Sequence, residues 1–188
     1  MKFQPERIFS FTTKALQKVN VLQNEIQVSE AFDTSIEPPQ AIKKQYICIW
    51  DTGATGTVIS KNVIDGLGLQ PSGKVNLHVV GSSDSPTEYE TNTYLVNLYL
   101  PNNVVITAKA AESSAAGCDV LIGMDVINLG DFAVTNHNQK TTWTFRLPSC
   151  DEIDFVKEIE EYNKKFKSPE QRRKERNKRK AEKRINRY

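Results

Sequence analysis

The chain has 188 residues, enough for one domain with a hydrophobic core and additional segments at its ends. Only 38% of the residues are hydrophobic and the mean hydropathy is −0.50, so part of the chain is expected to lie outside any core. Residues 1–163 carry 12 basic and 20 acidic side chains, whereas residues 164–188 carry 13 basic and 3 acidic ones. This distribution predicts an acidic body followed by a basic tail.

The sequence carries no signal for membrane insertion, secretion or metal binding. No apolar run approaches the ~20 residues that a membrane-spanning helix needs, and the first residues lack the apolar segment of a signal peptide. Cys48, Cys118 and Cys150 are widely spaced and suggest neither a disulfide framework nor a Cys-x-x-Cys metal site. We therefore expect a cytoplasmic protein with no membrane partner, no metal and no cofactor.

The N-terminal part of the chain has the pattern of β-structure. Partial alternation of apolar residues predicts one or two strands in residues 1–40, ending at the Pro38-Pro39 break. This segment is expected to pack on the main domain as an extension. The apolar run from Tyr46 to Trp50 then gives the densest strand signal and leads directly into Asp51-Thr52-Gly53.

Two short helices and two hairpins are predicted further along. Ser60 is expected to cap a helix over residues 61–65, and residues 124–129 are predicted to form a helical turn. A strand from residue 75, a polar turn and a long alternating run to Leu100 predict one β-hairpin, and residues 132–147 predict another. Many short strands with only one or two short helices predict an all-β fold built as a closed or nearly closed barrel.

A charged tail follows the predicted barrel. Ile153, Val156 and Ile159 recur at helical spacing, and beyond Pro169 nearly every residue is charged. We thus divide the chain into an N-terminal extension (1–40), a main domain (41–148) and a charged, helical or disordered tail (149–188). Two interpretations of the basic tail stay open: a solvated appendage, or an arm that makes weak, non-specific contacts with nucleic acid between Lys164 and Arg187.

Two short segments carry the functional signal. Asp51-Thr52-Gly53-Ala54 follows an apolar strand, which puts one carboxylate at a strand end in a tight turn of small residues. Leu121-Ile122-Gly123 lies about 70 residues on. In this order and at this separation, the two segments resemble the active-site loop and the bracing element of the retropepsin-like aspartic proteases, most closely the bacterial and phage-borne single-domain members.

The resemblance covers roughly residues 41–148 and implies a fold, an activity and a site. The implied fold is a closed acid-protease barrel, and the implied activity is endopeptidase cleavage of a peptide or protein substrate. The resemblance implies catalysis by Asp51, with Thr52 and Gly53 shaping the loop, and a flap formed by the hairpin between Val75 and Tyr94. It also implies a substrate cleft that includes Val58, Gly81, Ser82 and Leu121.

A single Asp-Thr-Gly has a consequence for assembly. Hydrolysis by paired carboxylates uses one as general base, to activate water, and one as general acid. A chain with one such loop obtains the second carboxylate only from another copy of itself, so we expect a homodimer with Asp51 from each subunit. Asp125 is expected to cap the following turn instead of serving as the second carboxylate within the chain.

Two positions depart from the pattern of the viral family members. There, an acidic residue after Asp-Thr-Gly-Ala pairs with an arginine after the late glycine, whereas here the two positions are Thr55 and Met124. The absent ion pair keeps a rival hypothesis open. In that hypothesis the chain is a non-catalytic module of the same fold that binds peptides or dimerises and carries a polyanion-binding tail.

Overall fold

A computed structural model describes residues 7–32, 42–79, 87–113, 118–166 and 168–185. They belong to two units, one up to Cys150 and one from Asp151 onward. In its described residues, the first unit contains ten strands: β1 (Phe9–Lys14), β2 (Leu22–Glu30), β3 (Lys44–Trp50), β4 (Val58–Ile59), β5 (Gly73–Val79), β6 (Thr87–Leu100), β7 (Val104–Glu112), β8 (Val120–Ile122), β9 (Asp131–Thr135) and β10 (Thr142–Leu147). Its helices are α1 (Lys61–Leu67), α2 (Met124–Ile127) and two 3-10 turns, Pro101–Asn103 and His137–Gln139.

Six strands close into a barrel. The seven-stranded sheet has the order β2-β3-β8-β4-β7-β6-β5, and a further pairing of β2 with β6 joins the ring. Strand β5 is not part of this ring; it pairs antiparallel with β6 as the other strand of a hairpin. The prediction of an all-β closed barrel with a few short helices is therefore confirmed.

Alternation along the strands builds the core of the barrel. In β3, Tyr46, Cys48 and Trp50 are buried while the residues between them are exposed or half-buried. Val28 and Leu98 are 0% exposed on β2 and β6, and they face each other across the pair that closes the ring. Because full burial of a Val or Leu side chain contributes about 1.5–3 kcal/mol, these alternating positions supply much of the driving force for closure.

Strand β8 lies between two strands that are joined by the loop after Trp50. It pairs in parallel with β3 and antiparallel with β4, and β4 in turn pairs in parallel with β7. The connection from β3 to β4 therefore passes across the end of β8 instead of forming a hairpin. This crossing brings Asp51 on one segment next to Gly123 on the other, although they are far apart in sequence.

A second sheet packs on the end of β3. Its order is β1-β10-β9, and both pairings are antiparallel. The ring of Trp50 stacks on Phe132 of β9 at 5.3 Å between centroids, and it also contacts Phe11 and Phe145 at 5.7 and 5.5 Å. This aromatic cluster fixes the residue that immediately precedes Asp51.

The hairpin predictions are confirmed by the strand pairing. Strands β5 and β6 pair from Gly73 with Thr93 to Val79 with Thr87, and β9 pairs with β10. The turn that joins β5 to β6, including Gly81 and Ser82, and the Pro38-Pro39 break both lie outside the described residues. The two strands found before residue 40 are β1, which pairs with β10, and β2, which is part of the barrel.

The second unit consists of helices α3 (Phe155–Lys164) and α4 (Pro169–Ile185). Asp154 caps α3, since its carboxylate accepts a hydrogen bond from the Lys157 backbone N–H at 3.1 Å. Helix α4 contains almost only charged and amide residues, as the prediction of a charged helical tail requires. Across the described ranges of the whole chain, no helix combines the length and apolar character needed to cross a membrane.

Candidate active site

Asp51 lies immediately after the last residue of β3. Its backbone N–H donates to the carbonyl of Ile122 at 3.0 Å, which continues the pairing of β3 with β8 by one residue. The run Ile47-Cys48-Ile49-Trp50 favours a strand because it is rich in β-branched and aromatic residues, and Thr52-Gly53 ends it. The carboxylate is thus attached to a strand held on both sides by neighbours.

The loop after Asp51 folds back on the carboxylate. Asp51 Oδ1 accepts a hydrogen bond from the Gly53 N–H at 2.8 Å, and the Ala54 N–H donates to the Asp51 carbonyl at 3.2 Å. Asp51 is half-buried, whereas Thr52 and Gly53 are exposed. Within the described parts of the chain, no side chain hydrogen-bonds to the Asp51 carboxylate. One carboxylate is therefore oriented by the backbone and open to a further partner.

Gly123 and Gly56 make the closest approach in the crossing. A Cβ on Gly123 would lie 2.5 Å from the Gly56 carbonyl carbon and 2.6 Å from its oxygen, distances that real side chains do not adopt. The segment after Gly123 then hydrogen-bonds to the loop, because the N–H groups of Met124 and Asp125 donate to the carbonyls of Ala54 and Thr55 at 2.8 and 3.2 Å. Backbone hydrogen bonds thus hold the loop around Thr55 and Met124, where this sequence has no ion pair.

Thr57 joins the two crossing segments through its side chain. Its hydroxyl donates to Asp125 Oδ1 at 2.8 Å and accepts from the Gly123 N–H at 3.2 Å. Asp125 Oδ1 also accepts from the Val126 N–H at 3.0 Å, at the start of α2. The Asp125 carboxylate is therefore engaged in holding the crossing together. It lies inside the first turn of α2, whose N-cap is Gly123, so the expected capping role is not what it performs.

An apolar patch lies across three neighbouring strands. Leu121 of β8 pairs with Ile49 of β3 on one side and with Val58 of β4 on the other. All three side chains are half-buried, whereas Cys48, Ile59 and Val120 next to them are fully buried. Because side chains alternate along a strand, the three point away from the core, and Asp51 follows Ile49 by two residues on the same side. The structure thus brings Val58 and Leu121 together with Asp51.

Other residues at the site were not predicted from the sequence. Ile49 belongs to the patch, and the period of two that leads to Asp51 would have indicated it. Thr57 and Gly56 carried no local signal, because their importance depends on Gly123 and Asp125, which lie more than 60 residues away.

The remaining titratable candidates in the described ranges show no reactive arrangement. Burial raises the pKa of the Cys48 thiol to about 12, so this residue behaves as a small apolar core residue. His78 lies 3.6 Å from Glu88 across the exposed β5–β6 hairpin. Among the residues described, no group of three or more His, Cys, Asp or Glu side chains forms a potential metal site.

The chain was compared with known proteins. No family model matches it, and no curated protein matches it. Among solved structures, it is similar to a retropepsin-like aspartic protease from Rickettsia conorii, with 9% sequence identity over 77% of this chain and 98% of that chain and a TM-score of 0.43. Similarity at that level assigns the chain to no family.

The geometry therefore provides one half of a possible carboxylate pair. Asp51 is fixed at its backbone, its Oδ1 is oriented by Gly53, and its surroundings on one side are apolar. A single carboxylate is able to act as general base or general acid in turn, but hydrolysis of an amide by carboxylates alone requires both roles together.

Proposed function

We propose that the chain is an aspartic endopeptidase whose active site forms when two copies bring their Asp51 carboxylates together. The observation that carries the proposal is the oriented, half-buried Asp51 carboxylate at the end of β3, which has no side-chain partner in the described parts of the chain. Asp125 does not supply the second carboxylate, because it is bound to Thr57. The sequence pattern around Asp51 supports the same function.

The proposed mechanism needs a single shared proton. Two carboxylates held close together do not both ionise at low energy, so the pair retains one proton between them. The ionised Asp51 takes a proton from the attacking water, and the protonated Asp51 of the second copy donates to the peptide oxygen, which gives a tetrahedral diol. The first carboxyl then donates its proton to the nitrogen as the C–N bond breaks, and the second carboxylate takes a proton from the diol, so that an amine and a carboxylic acid leave. Thr52 and Gly53 take part by shaping the loop that sets the direction of each carboxylate.

The proposed substrate cleft extends from Asp51 over the apolar patch. Ile49, Val58 and Leu121 offer apolar surface beside the carboxylate, so an apolar substrate side chain next to the cleaved bond is favoured. The β5–β6 hairpin is the proposed flap, with Gly81 and Ser82 as its substrate contacts. In this proposal residues 41–148 carry the catalytic and substrate-binding segments, β2 completes their barrel, and the enzyme acts as a cytoplasmic homodimer on peptides or proteins.

The proposal is tested by comparing two isosteric substitutions. The purified protein is incubated with a degenerate peptide library at acid and neutral pH, with and without a statine-type transition-state analogue. Asp51→Asn should lower cleavage by about 10²–10⁴-fold, because an amide cannot activate the water. Asp125→Asn should keep cleavage close to the wild-type rate, since an amide oxygen still accepts from the backbone of α2. Circular dichroism checks that both variants fold.

Two results would contradict the proposal. Wild-type turnover by folded Asp51→Asn would remove Asp51 from the mechanism. Loss of turnover in folded Asp125→Asn as well as in folded Asp51→Asn would instead indicate a pair of carboxylates within one chain.

The rival function is a non-catalytic peptide-binding or dimerisation module. It is favoured by the absent ion pair at Thr55 and Met124, positions where backbone hydrogen bonds join the two neighbouring segments. The same library separates the two functions. Products that disappear with the analogue support the enzyme, whereas bound peptides without products support the module.

A further inference from the structure

Helix α4 gathers most of its basic residues on one side. With 3.6 residues per turn, positions 172, 176, 179 and 183 follow each other at spacings of four, three and four, and positions 173, 180 and 184 lie next to them. Seven of the nine Lys and Arg residues of the helix therefore fall within an arc of about 140°. We call these seven positions the basic face.

The acidic residues of the helix lie outside that arc. Glu170, Glu175 and Glu182 fall on the other side, together with Lys174 and Lys178. The ion pair between Lys174 and Glu170, at 3.6 Å, accordingly joins two residues outside the basic face. Arg172, Arg173 and Arg176 are exposed. The positions of basic residues thus lie mainly on one side of the helix and those of acidic residues on the other. A tail that serves only to increase solubility does not require this arrangement.

We propose that the basic face of α4 binds the phosphate backbone of a nucleic-acid duplex without reading its sequence. A helix of 17 residues is about 26 Å long, and the major groove of B-DNA, about 12 Å wide, admits a helix. Rows of Arg and Lys along such a helix neutralise successive phosphates and release counterions. This proposal is independent of peptidase activity.

The residue types favour a duplex over a single strand. Residues 167–187 contain no aromatic side chain, so the stacking on which single-strand binding depends is not available within α4. Phosphate contacts by Arg and Lys position a protein on a duplex but carry no sequence information.

An anionic membrane surface fits the helices less well. Membrane-surface helices need an apolar face beside the basic one, and α4 offers only Ala181 and Ile185 besides Pro169. Helix α3 does carry apolar side chains, but Glu158, Glu160 and Glu161 accompany them and would be repelled by anionic headgroups.

The test measures binding of the full chain to a fluorescently labelled 20-base-pair DNA duplex by anisotropy between 50 and 200 mM salt. If four to seven phosphates are neutralised, affinity should fall by about 10²–10⁴-fold over this range. An RNA duplex, single-stranded RNA and phosphatidylserine vesicles serve as parallel probes. The duplexes should bind more tightly than the single strand or the vesicles.

Matched variants test the face itself. Arg173→Gln with Arg176→Gln removes two charges from the basic face, and Lys174→Gln with Lys178→Gln removes two charges from the other side. The first pair should reduce the slope of log affinity against log salt by about 1.8, and the second by much less. Arg173→Lys with Arg176→Lys should retain the wild-type slope, which excludes an effect of replacing arginine as such.

Three outcomes would overturn the proposal. These are an affinity for the duplex that does not change with salt, equal slopes for the two glutamine pairs, and tighter binding to vesicles than to either duplex. Helicity measured by circular dichroism accompanies every variant, and glutamine is a good helix former, so loss of α4 would be recognised.

Discussion

Gly56 and Gly123 face each other where the loop after Asp51 crosses the end of β8. The sequence presents both as glycines next to apolar or small residues, yet their surroundings differ. A Cβ on Gly123 would collide with the backbone of Gly56, whereas a Cβ on Gly56 would meet no atom within 4 Å. Close approach of the two segments therefore depends on one glycine and not on the other.

We predict that Gly123→Ala destabilises the fold by about 3 kcal/mol, toward the upper end for overpacking, because the carbonyl of Gly56 cannot yield without moving the loop. Gly56→Ala should cause no loss of stability, and even a gain of up to about 1 kcal/mol from the unfolded chain. Urea denaturation measures both. Equal effects of the two substitutions would show that the crossing is looser than the structure describes.

Thr57 is the residue whose hydroxyl ties the crossing together. It is 2% exposed, and its hydroxyl both donates to Asp125 and accepts from Gly123. Thr57→Val keeps the shape but leaves the buried Gly123 N–H without a partner, so we expect a loss of about 2–3 kcal/mol in the free energy of unfolding.

Thr57→Ser is the matched control for this prediction. It retains the hydroxyl and removes one methyl group, which should reduce stability by only about 1 kcal/mol. The two free energies of unfolding are measured side by side. A serine variant as unstable as the valine variant would mean that packing, and not hydrogen bonding, explains the burial of Thr57.

At the scale of elements, the two ends of helix α1 are fixed in different ways. Ser60 precedes the helix with an extended backbone, but its side chain makes no capping hydrogen bond, and its buried hydroxyl finds no partner among the described residues. At the other end, Gly68 adopts the left-handed conformation with φ of 65°, and its N–H bonds to the carbonyls of Ile64 and Asp65. The sequence correctly places Ser60 before the helix but not how it acts, and the helix runs to Leu67, two residues beyond the predicted end.

This difference gives a prediction that runs against the usual effect of capping serines. Ser60→Ala should change the free energy of unfolding by less than about 0.5 kcal/mol, although loss of an N-cap serine commonly costs about 0.5–2 kcal/mol. Gly68→Ala should destabilise by about 1 kcal/mol, because a residue with a Cβ is strained in the left-handed region. Thermal or urea unfolding of both variants checks this. A loss above about 1 kcal/mol for Ser60→Ala would indicate a hydrogen bond that the structure does not contain.

Local elements could be predicted from the sequence better than their partners. The β5–β6 and β9–β10 hairpins follow from alternation and turn residues. The end of β7 does not, since Lys109-Ala110-Ala111 has low strand propensity and is a strand because it pairs with residues 93–95 of β6. The closure of the barrel by β2 between β3 and β6 also had no local signal, because the pairing is set by packing of distant side chains.

The same distinction applies to the candidate site. Asp51 was recognisable because its neighbours in sequence form the turn that holds it. The apolar patch was only partly recognisable, since it depends on the register of β8 between two other strands. The division into residues 1–40, 41–148 and 149–188, the roles of Gly81 and Ser82, and catalysis by Asp51 remain predictions.

At the scale of the whole molecule, the proposed enzyme obtains half of its active site from each of two chains. The described part of each chain has one oriented Asp51 carboxylate, and the Asp125 carboxylate accepts a hydrogen bond from the Thr57 hydroxyl. An enzyme built this way is active only as a pair of chains, and a chain with a defective Asp51 that still pairs would inactivate its partner.

The most direct measurement follows cleavage by a fixed amount of wild-type chain while Asp51→Asn chain is added, with time for subunits to exchange. Random pairing with about a ninefold excess of the variant should reduce activity per wild-type chain to about one tenth, because nearly every wild-type chain is then in a mixed pair. The same excess of a folded, inert control protein should leave activity unchanged. Full wild-type activity in the presence of exchanged Asp51→Asn chains would contradict the account.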